Sequence, residues 1–292
     1  MNEPNETSPF VCKFLNDESF ALAHSKFVEA FSDYFISFQL PEQQFRNHII
    51  LNAVDLNRSI GCFDKEQLVG ISLNGFGTWE GLRTVYDAGT GVIPSHRRRG
   101  ISEAMFNKML PIFTEQGFEQ CLLEVIIQNH AAICLYEKLG FEKSRKLLLM
   151  EATELNELPE APRHIELRDI QGPDLGSLRT IADGQPSWQN SFEAIERSLA
   201  IKRIIGAFEG AELLGYIIFS AGLGRVSQLA VHPAHRRRGI AGALVAEMKA
   251  DTIPGSVFQV INIDAGVTAA VEFFRRCGFE TTIAQYEMRK ML

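Results

Sequence analysis

The run His96-Arg97-Arg98-Arg99-Gly100-Ile101 returns unchanged as His235-Arg236-Arg237-Arg238-Gly239-Ile240. Ser102 follows the first copy and Ala241 the second. Three guanidinium groups beside a glycine have the chemistry to hold phosphate: the glycine admits an anion close to the backbone, and the arginines supply positive charge. If the glycine opens a helix, the unpaired N–H groups of its first turn and the helix dipole point at the same anion. The triplet could also be a solvated surface run or a nucleic-acid patch. Recurrence in matched surroundings weighs against the first. The overall balance, 29 Lys+Arg against 36 Asp+Glu and a net charge of -7, weighs against the second.

The surroundings do match. A strand-like run precedes each copy, Thr90-Gly91-Val92-Ile93-Pro94 in one case and Leu229-Ala230-Val231-His232-Pro233 in the other. A helix-like run follows each, Ser102 to Glu115 and Ala241 to Lys249. Each junction therefore reads as strand, turn and helix, a phosphate cradle by construction. Arg97 and Arg236 lie 139 residues apart, and a second shared landmark, Gly-Phe-Glu at 140–142 and 278–280, repeats at nearly the same offset. A period of this length indicates duplicated domains rather than a solenoid. The expected domains are 1–155 and 156–292. The expected linker is Glu151 to Arg163, polar and broken by Pro159 and Pro162.

The remaining composition narrows the classes. At 292 residues and 46% hydrophobic, the chain has room for two cores. No apolar run is long enough for a transmembrane helix, and the polar, acidic start lacks the pattern of a secretory signal. Five scattered cysteines (Cys12, Cys62, Cys121, Cys134, Cys277) form no Cys-x-x-Cys pair and no zinc cluster. Most sit inside apolar runs, which suits reduced, buried thiols in a cytoplasmic protein, and no metal, nucleic-acid partner or membrane partner is expected. The oligomeric state is left open.

The elements alternate. In the first half a strand at Phe10–Leu15 precedes a helix at Ser19–Ala30 capped by Asp17 or Ser19. Aromatic residues fill Asp33–Leu40, and Pro41 opens a second helix. Strands at Arg58–Phe63 and Leu68–Gly77 flank a charged turn at Asp64-Lys65-Glu66, and a long strand at Arg83–Ile93 reaches the first cradle. After the cradle helix come a strand at Gln120–Ile127, a helix at Ala131–Leu139 ending on Gly140, and a closing strand at Lys143–Met150. The second half repeats this in shorter form, with helical segments near Pro173–Ala182 and Phe192–Ile201 and a final strand near Tyr286–Lys290. The class is mixed α/β: two tandem domains, each a mostly antiparallel twisted sheet flanked by helices.

Both halves resemble the GCN5-related N-acetyltransferase (GNAT) family. The family's loop, Arg/Gln-x-x-Gly-x-Gly/Ala, appears as Arg97-x-x-Gly100-x-Ser102 and Arg236-x-x-Gly239-x-Ala241. The second copy fits fully; the first carries serine where the last small residue belongs. The first half also carries Leu123-Glu124-Val125, Asn129, Ala132 and Leu135-Tyr136-Glu137-Lys138-Leu139-Gly140-Phe141 in the family's order. The resemblance implies an acetyl-CoA-dependent N-acetyltransferase, in which a primary amine attacks the thioester directly and the active site lies in the first half. A sensor or interaction protein that binds CoA without turnover, and catalysis in the second half, are the alternatives.

The same resemblance implies roles. Pantetheine would lie between splayed strands, along Gly91, Val92 and Ile93, with its pyrophosphate on Arg97, Arg98, Arg99, Gly100, Ile101 and Ser102. Asn129 and Ala132 would fix the pantetheine arm, and Tyr136 would protonate the leaving thiolate. Glu124, twelve residues before Tyr136, matches the proposed base of ribosomal-protein alanine acetyltransferases; Asp87 on the neighbouring strand is the other candidate, and water a third. The parallel cofactor set in the second half is Leu229, Val231, Arg236, Arg237, Arg238, Gly239, Ile240 and Ala241. There, however, Phe274 stands opposite Tyr136 and Val267 opposite Asn129. Phenylalanine has no proton to donate, so that half either binds CoA without turnover, acts as a scaffold, or works without a tyrosine acid.

The resemblance implies a small-molecule or peptide amine as the acceptor. The segment Asp33–Leu40 is expected to wall its pocket. Tyr34 and Trp79 are candidate wall residues because each ring has a polar handle, whereas Phe35 and Phe38 read as core. Asp33 and Asp87 would suit a cationic amine.

Overall fold

The structure is a computed structural model and describes residues 10–15, 20–34, 40–172, 175–182 and 184–292. The expected caps Asp17 and Ser19, the aromatics Phe35 and Phe38, and Pro173 lie outside the described residues. The chain forms two compact units. One runs up to Ser144 and takes in Glu287–Leu292; the other is Arg145–Tyr286.

The first unit contains, in chain order, β1 (Phe10–Phe14), α1 (Phe20–Ala30), α2 (Glu42–Leu51), β2 (Ile60–Asp64), β3 (Gln67–Trp79), β4 (Leu82–Val92), α3 (Ile101–Glu115), β5 (Gln120–Ile126) and α4 (His130–Lys138). β1 to β4 pair in sequence as an antiparallel meander, and β5 joins β4 in parallel. The expected charged turn between β2 and β3 is present, with Lys65 at φ 56°. Apolar residues at helical spacing seat the helices: Ala23, Phe27 and Ala30 of α1 are buried, as are Ile101, Met105 and Met109 of α3. Two glycines set how closely α1 lies on β4. A Cβ at Gly89 would meet the Phe27 ring at 2.7 Å, and one at Gly91 would meet Ala30 and Phe31 at 2.9 Å.

The second unit contains most of β6 (Glu142–Ala152), then β7 (Glu166–Asp169), α5 (Leu175–Arg179), α6 (Phe192–Arg197), β8 (Lys202–Glu209), β9 (Glu212–Ser220), β10 (Arg225–Val231), α7 (Ile240–Asp251), β11 (Phe258–Asp264), α8 (Thr268–Arg276) and the first part of β12 (Glu280–Met291). Its strands follow the order β6-β11-β10-β9-β8-β7. The core gathers Leu214, Ile217 and Phe219 from β9 with Leu244, Val245 and Met248 from α7.

The compact units do not follow the linear division 1–155 and 156–292. The strand expected to close the first domain runs antiparallel to β11 instead, with Met150 opposite Val260 and Leu147 opposite Asp264. The end of the chain belongs to the first unit, where Leu292 N donates to Glu119 O at 2.9 Å and Arg289 pairs with Glu80. Strand edges need backbone partners, and any strand in the right place satisfies them, so sequence proximity does not decide the pairing. Among the described residues no helix is long and apolar enough to cross a membrane.

Candidate functional site

The two cradles share one backbone. β4 and β10 each lead into a single 3-10 turn, Pro94–His96 and Pro233–His235. The middle arginine is then left-handed in both, Arg98 at φ 62° and Arg237 at φ 64°. Gly100 (φ 75°) and Gly239 (φ 85°) follow as helix N-caps. A left-handed arginine is uncommon, and it falls at the same position in both copies. The first helical bonds run from Ala104 N to Gly100 O and from Ala243 N to Gly239 O. The N–H groups of Ile101, Ser102 and Glu103 consequently have no acceptor within α3.

The strands beside each cradle part company. β4 and β5 pair from Thr84–Gln120 to Asp87–Leu123 and no further, although β4 continues to Val92 and β5 to Ile126. β10 and β11 pair only at Arg225–Gln259 and Val226–Val260. In each unit the last parallel pair is followed by one extra residue against the antiparallel neighbour, Ala88 in β4 and Ser227 in β10. Such a bulge re-aims the side chains around it. His48 of α2 holds the first bulge through a 2.9 Å contact from Nε2 to Ala88 O, and burial lowers its pKa, which favours the neutral ring. Periodicity carries no signal of this bulge.

A cleft of about 510 Å³ opens where β4 and β5 diverge. Gly91, Val92, Arg97, Arg98, Gly100, Ile101, Ser102, Asn129, Ala132 and Tyr136 all line it, as does Tyr34. Thr90, His96 and Leu135, which the sequence did not single out, join them. Ile93 and Arg99 do not line it; Ile93 is buried, with its N–H on Val69 O, and Arg99 is exposed. No side chain approaches within 4 Å of where a Cβ at Gly100 would stand. Free N–H groups, an open glycine, exposed Arg98 and Arg99 and a parted strand pair together fit the phosphates and the extended arm of a CoA-type cofactor.

Arg97 departs from its expected part. Its Nε donates to Val92 O and its terminal nitrogens to Ala30 O and both oxygens of Asp33, at 2.5 and 2.7 Å. It latches the end of α1 onto the cradle. Asp33, offered as a partner for a cationic amine, is committed to this latch, and the Arg97 hydrogen bond lowers its pKa. Arg236 makes the corresponding bond from Nε to Val231 O at 2.9 Å. Trp79 is also displaced from its expected place. It is buried, pairs with Leu82 at the far end of the β3–β4 hairpin, and lies roughly 26 Å of extended strand from Thr90.

Tyr136, which lines the cleft, is paired with Asp87, which is buried and does not line it. Asp87 Oδ1 accepts from Gly89 N at 2.9 Å, Thr90 Oγ1 lies 2.9 Å from Oδ2, and the Tyr136 hydroxyl completes the set. Complete burial pushes the Asp87 carboxyl up to about 6, and those three hydrogen bonds oppose the rise. Burial also pushes the Tyr136 phenol well above its ordinary value, and the negative charge of Asp87 adds to the effect. The ring is held edge-on between Phe106 and Phe141. Asn129 caps α4, its Oδ1 accepting from Ala132 N at 3.2 Å, and it is hydrogen-bonded to the Tyr34 hydroxyl. Glu124 is the first residue of β5 beyond the last parallel pair; it is half-buried and does not line the cleft.

The second unit keeps the geometry without these groups. Val226 occupies the last parallel pair, where the first unit has Asp87, and Ile261 follows Val260 as Glu124 follows Leu123. Val267 begins α8 with nearly the dihedral angles of Asn129 but has no side chain to cap it. Phe274 packs edge-on against Phe279 as Tyr136 does against Phe141. Four polar positions have thus become apolar. Leu229 lines a separate cavity of about 110 Å³ at the parted β10 and β11, which includes none of Arg236 to Ala241.

Comparison with known proteins agrees with this arrangement. A family model described as "Acetyltransferase (GNAT) family" matches residues 24–141, and one described as "Acetyltransferase (GNAT) domain" matches residues 185–291. An N-alpha-acetyltransferase of Arabidopsis thaliana is 31% identical over 86 residues, 30% of this chain and 45% of that protein. N-alpha-acetyltransferase 30 of Schizosaccharomyces pombe is 29% identical over 126 residues, 42% of this chain and 71% of that protein. N-acetyltransferase family 8 member 3 of Mus musculus is matched over only 28% of its length, at 31% identity across 22% of this chain. The GCN5-related N-acetyltransferase from Sphaerobacter thermophilus superposes with a TM-score of 0.74 at 16% identity, covering 98% of this chain and 97% of that one. A tandem GNAT protein from the clavulanic acid biosynthesis pathway superposes at 0.69 and 14% identity, covering 97% and 98%. With a cradle, a bulge and a parted strand pair in each unit, and a GNAT model matching each half, the chain belongs to the GNAT family as a tandem, two-domain member.

Proposed function

We propose that this protein is an acetyl-CoA-dependent N-acetyltransferase that acetylates a primary amine in the cleft of its first unit. The observation that carries the reading is the hydrogen-bonded Tyr136–Asp87 pair where β4 and β5 part, whose matching places in the second unit hold Phe274 and Val226. Bound acetyl-CoA would supply an acyl carbon activated as a thioester and a sulfur whose developing charge needs a proton. The N–H groups of α3's first turn, with Arg98 and Arg99, hold the phosphate end. Tyr136 Oη would turn its proton from Asp87, which accepts it in the free protein, to the departing sulfur, and Asp87 holds the oxygen in place until then.

Asp87 is an unsuitable amine base because its oxygens already accept from Gly89, Thr90 and Tyr136. We assign the amine's proton to Glu124, on the other strand of the parted pair, through a water, since its side chain does not line the cleft. Tyr34 walls the cleft and Asn129 holds its hydroxyl. Two relatives bear the name N-alpha-acetyltransferase, so a peptide N-terminus is the first acceptor class to test and small amines the second.

The test follows release of free thiol from acetyl-CoA with a panel of N-terminal peptides, polyamines and aminosugars. Amine-dependent release that falls in Glu124→Gln and Tyr136→Phe supports the reading. Tight acetyl-CoA binding with no thiol release across the panel would favour a sensor without turnover.

A further inference from the structure

We infer that the second cradle is closed by the chain's own linker, residues 155–162, and that only the first cradle is open to acetyl-CoA. This goes beyond the catalytic assignment and holds whether or not the first unit turns over.

The linker is anchored at both ends within the second unit. Leu155 is buried in the core, and Asn156 caps the C-terminal end of α8, its N–H donating to Cys277 O at 3.0 Å and its Nδ2 to Arg276 O at 2.9 Å. At the other end Ile165 is buried, and its N–H closes a turn on Pro162 O at 2.8 Å. Between them Leu158 and Ala161 pack onto the same core. Two prolines stiffen the segment and lower the entropy lost in holding it there.

Pro159 lands on the first turn of α7. The three atoms closest to a Cβ built at Gly242 all belong to Pro159, its Cδ at 2.5 Å and Cγ at 2.6 Å. Pro159 Cβ and Glu160 O also lie 3.6 and 3.8 Å from where a Cβ at Gly239 would stand. In the first unit the same helical position is Glu103, which lines the open cleft and pairs with Lys138 at 2.7 Å, and nothing stands within 4 Å at Gly100. Glycine inside a helix is unfavourable relative to alanine. Its presence at buried position 242 is explained by the proline ring resting on it. The ring takes the space through which a phosphate would reach the N–H groups of Ile240, Ala241 and Gly242 in the first turn of α7, so the second cradle does not fit the cofactor.

A substitution with opposite signs tests this. With the strap seated, Gly242→Ala forces a methyl into Pro159, and the melting temperature of the full chain falls. In the double variant Pro159→Gly, Gly242→Ala the obstacle is gone, and the alanine no longer lowers the melting temperature relative to Pro159→Gly alone. If Gly242→Ala raises the melting temperature of the otherwise unchanged chain, the strap is not seated and the inference is overturned. Calorimetric titration with acetyl-CoA gives a second readout. One equivalent, lost in Gly100→Trp, is expected; two equivalents would overturn the closed second cradle. Zero equivalents would instead sink the cofactor reading of the first cradle, while the melting data still decide the strap.

Discussion

The Tyr136 hydroxyl is hydrogen-bonded to the Asp87 carboxylate, joining α4 to the last residue of β4 that pairs with β5. The bond spans the point where the two strands separate. It places a proton-bearing oxygen beside the opening, and it ties the acid's orientation to the fold rather than to a flexible loop. Val226 and Phe274 hold the corresponding places in the second unit and cannot form such a bond.

Tyr136→Phe is expected to lower kcat by about 10²–10⁴-fold, the usual contribution of a positioned general acid. Acetyl-CoA affinity should change little, since the ring still packs between Phe106 and Phe141. Steady-state kinetics with calorimetric titration separate the two quantities. An unchanged kcat would remove Tyr136 from the acid role.

Asp87 makes stability depend on pH. Its folded pKa is raised from 3.8 to about 6, so between those values the folded chain holds a proton that the unfolded chain has released. Stability therefore falls as pH rises through this window, and the full cost is present above about pH 6. Roughly two pH units at about 1.4 kcal/mol each give about 3 kcal/mol. Asp87→Asn should flatten this slope, as read from denaturant unfolding between pH 4 and 7. A slope identical to the parent's would show that another group carries it.

The three cradle arginines should separate by salt dependence. Arg98→Ala and Arg99→Ala remove exposed cations and should weaken acetyl-CoA binding more at low salt than at high salt. Arg97→Ala should act differently, because that guanidinium is latched to Asp33, Ala30 and Val92. It should loosen the end of α1, visible as faster amide exchange, with a smaller change in the salt slope. Equal slopes for all three would contradict the latch.

Gly100→Trp is expected to abolish acetyl-CoA binding with a modest loss of stability. The position is left-handed, which costs about 1–2 kcal/mol for a side chain, and the space beside it is open. A cooperative unfolding transition without binding is the expected result. Retained affinity would place the phosphates elsewhere.

Much of the site was legible before folding. The repeated His-Arg-Arg-Arg-Gly-Ile, with a strand before and a helix after, located both cradles, since glycine at a strand–helix junction has a local conformational reason to be there. The alignment of Gly140 with Gly278 placed Phe274 opposite Tyr136, and the two rings do occupy matching positions. Trp79 misled because ring chemistry says nothing about distance along a hairpin. Asp33 misled because it was read alone, while 63 residues of intervening chain fold to bring it to Arg97.

By itself the sequence determined the tandem plan, the helix-opening glycines and the replacement of Tyr136 and Asn129 by Phe274 and Val267 in the second half. These depend on residue type and on neighbours within a few positions. Tertiary structure alone decided which strand completes which unit, how Ala88 bulges to set Asp87 toward Tyr136, and how Pro159 comes to rest on Gly242. Each of these joins segments far apart in the chain. Backbone hydrogen bonds and packing contacts accept many partners of similar chemistry, and only the whole fold selects one.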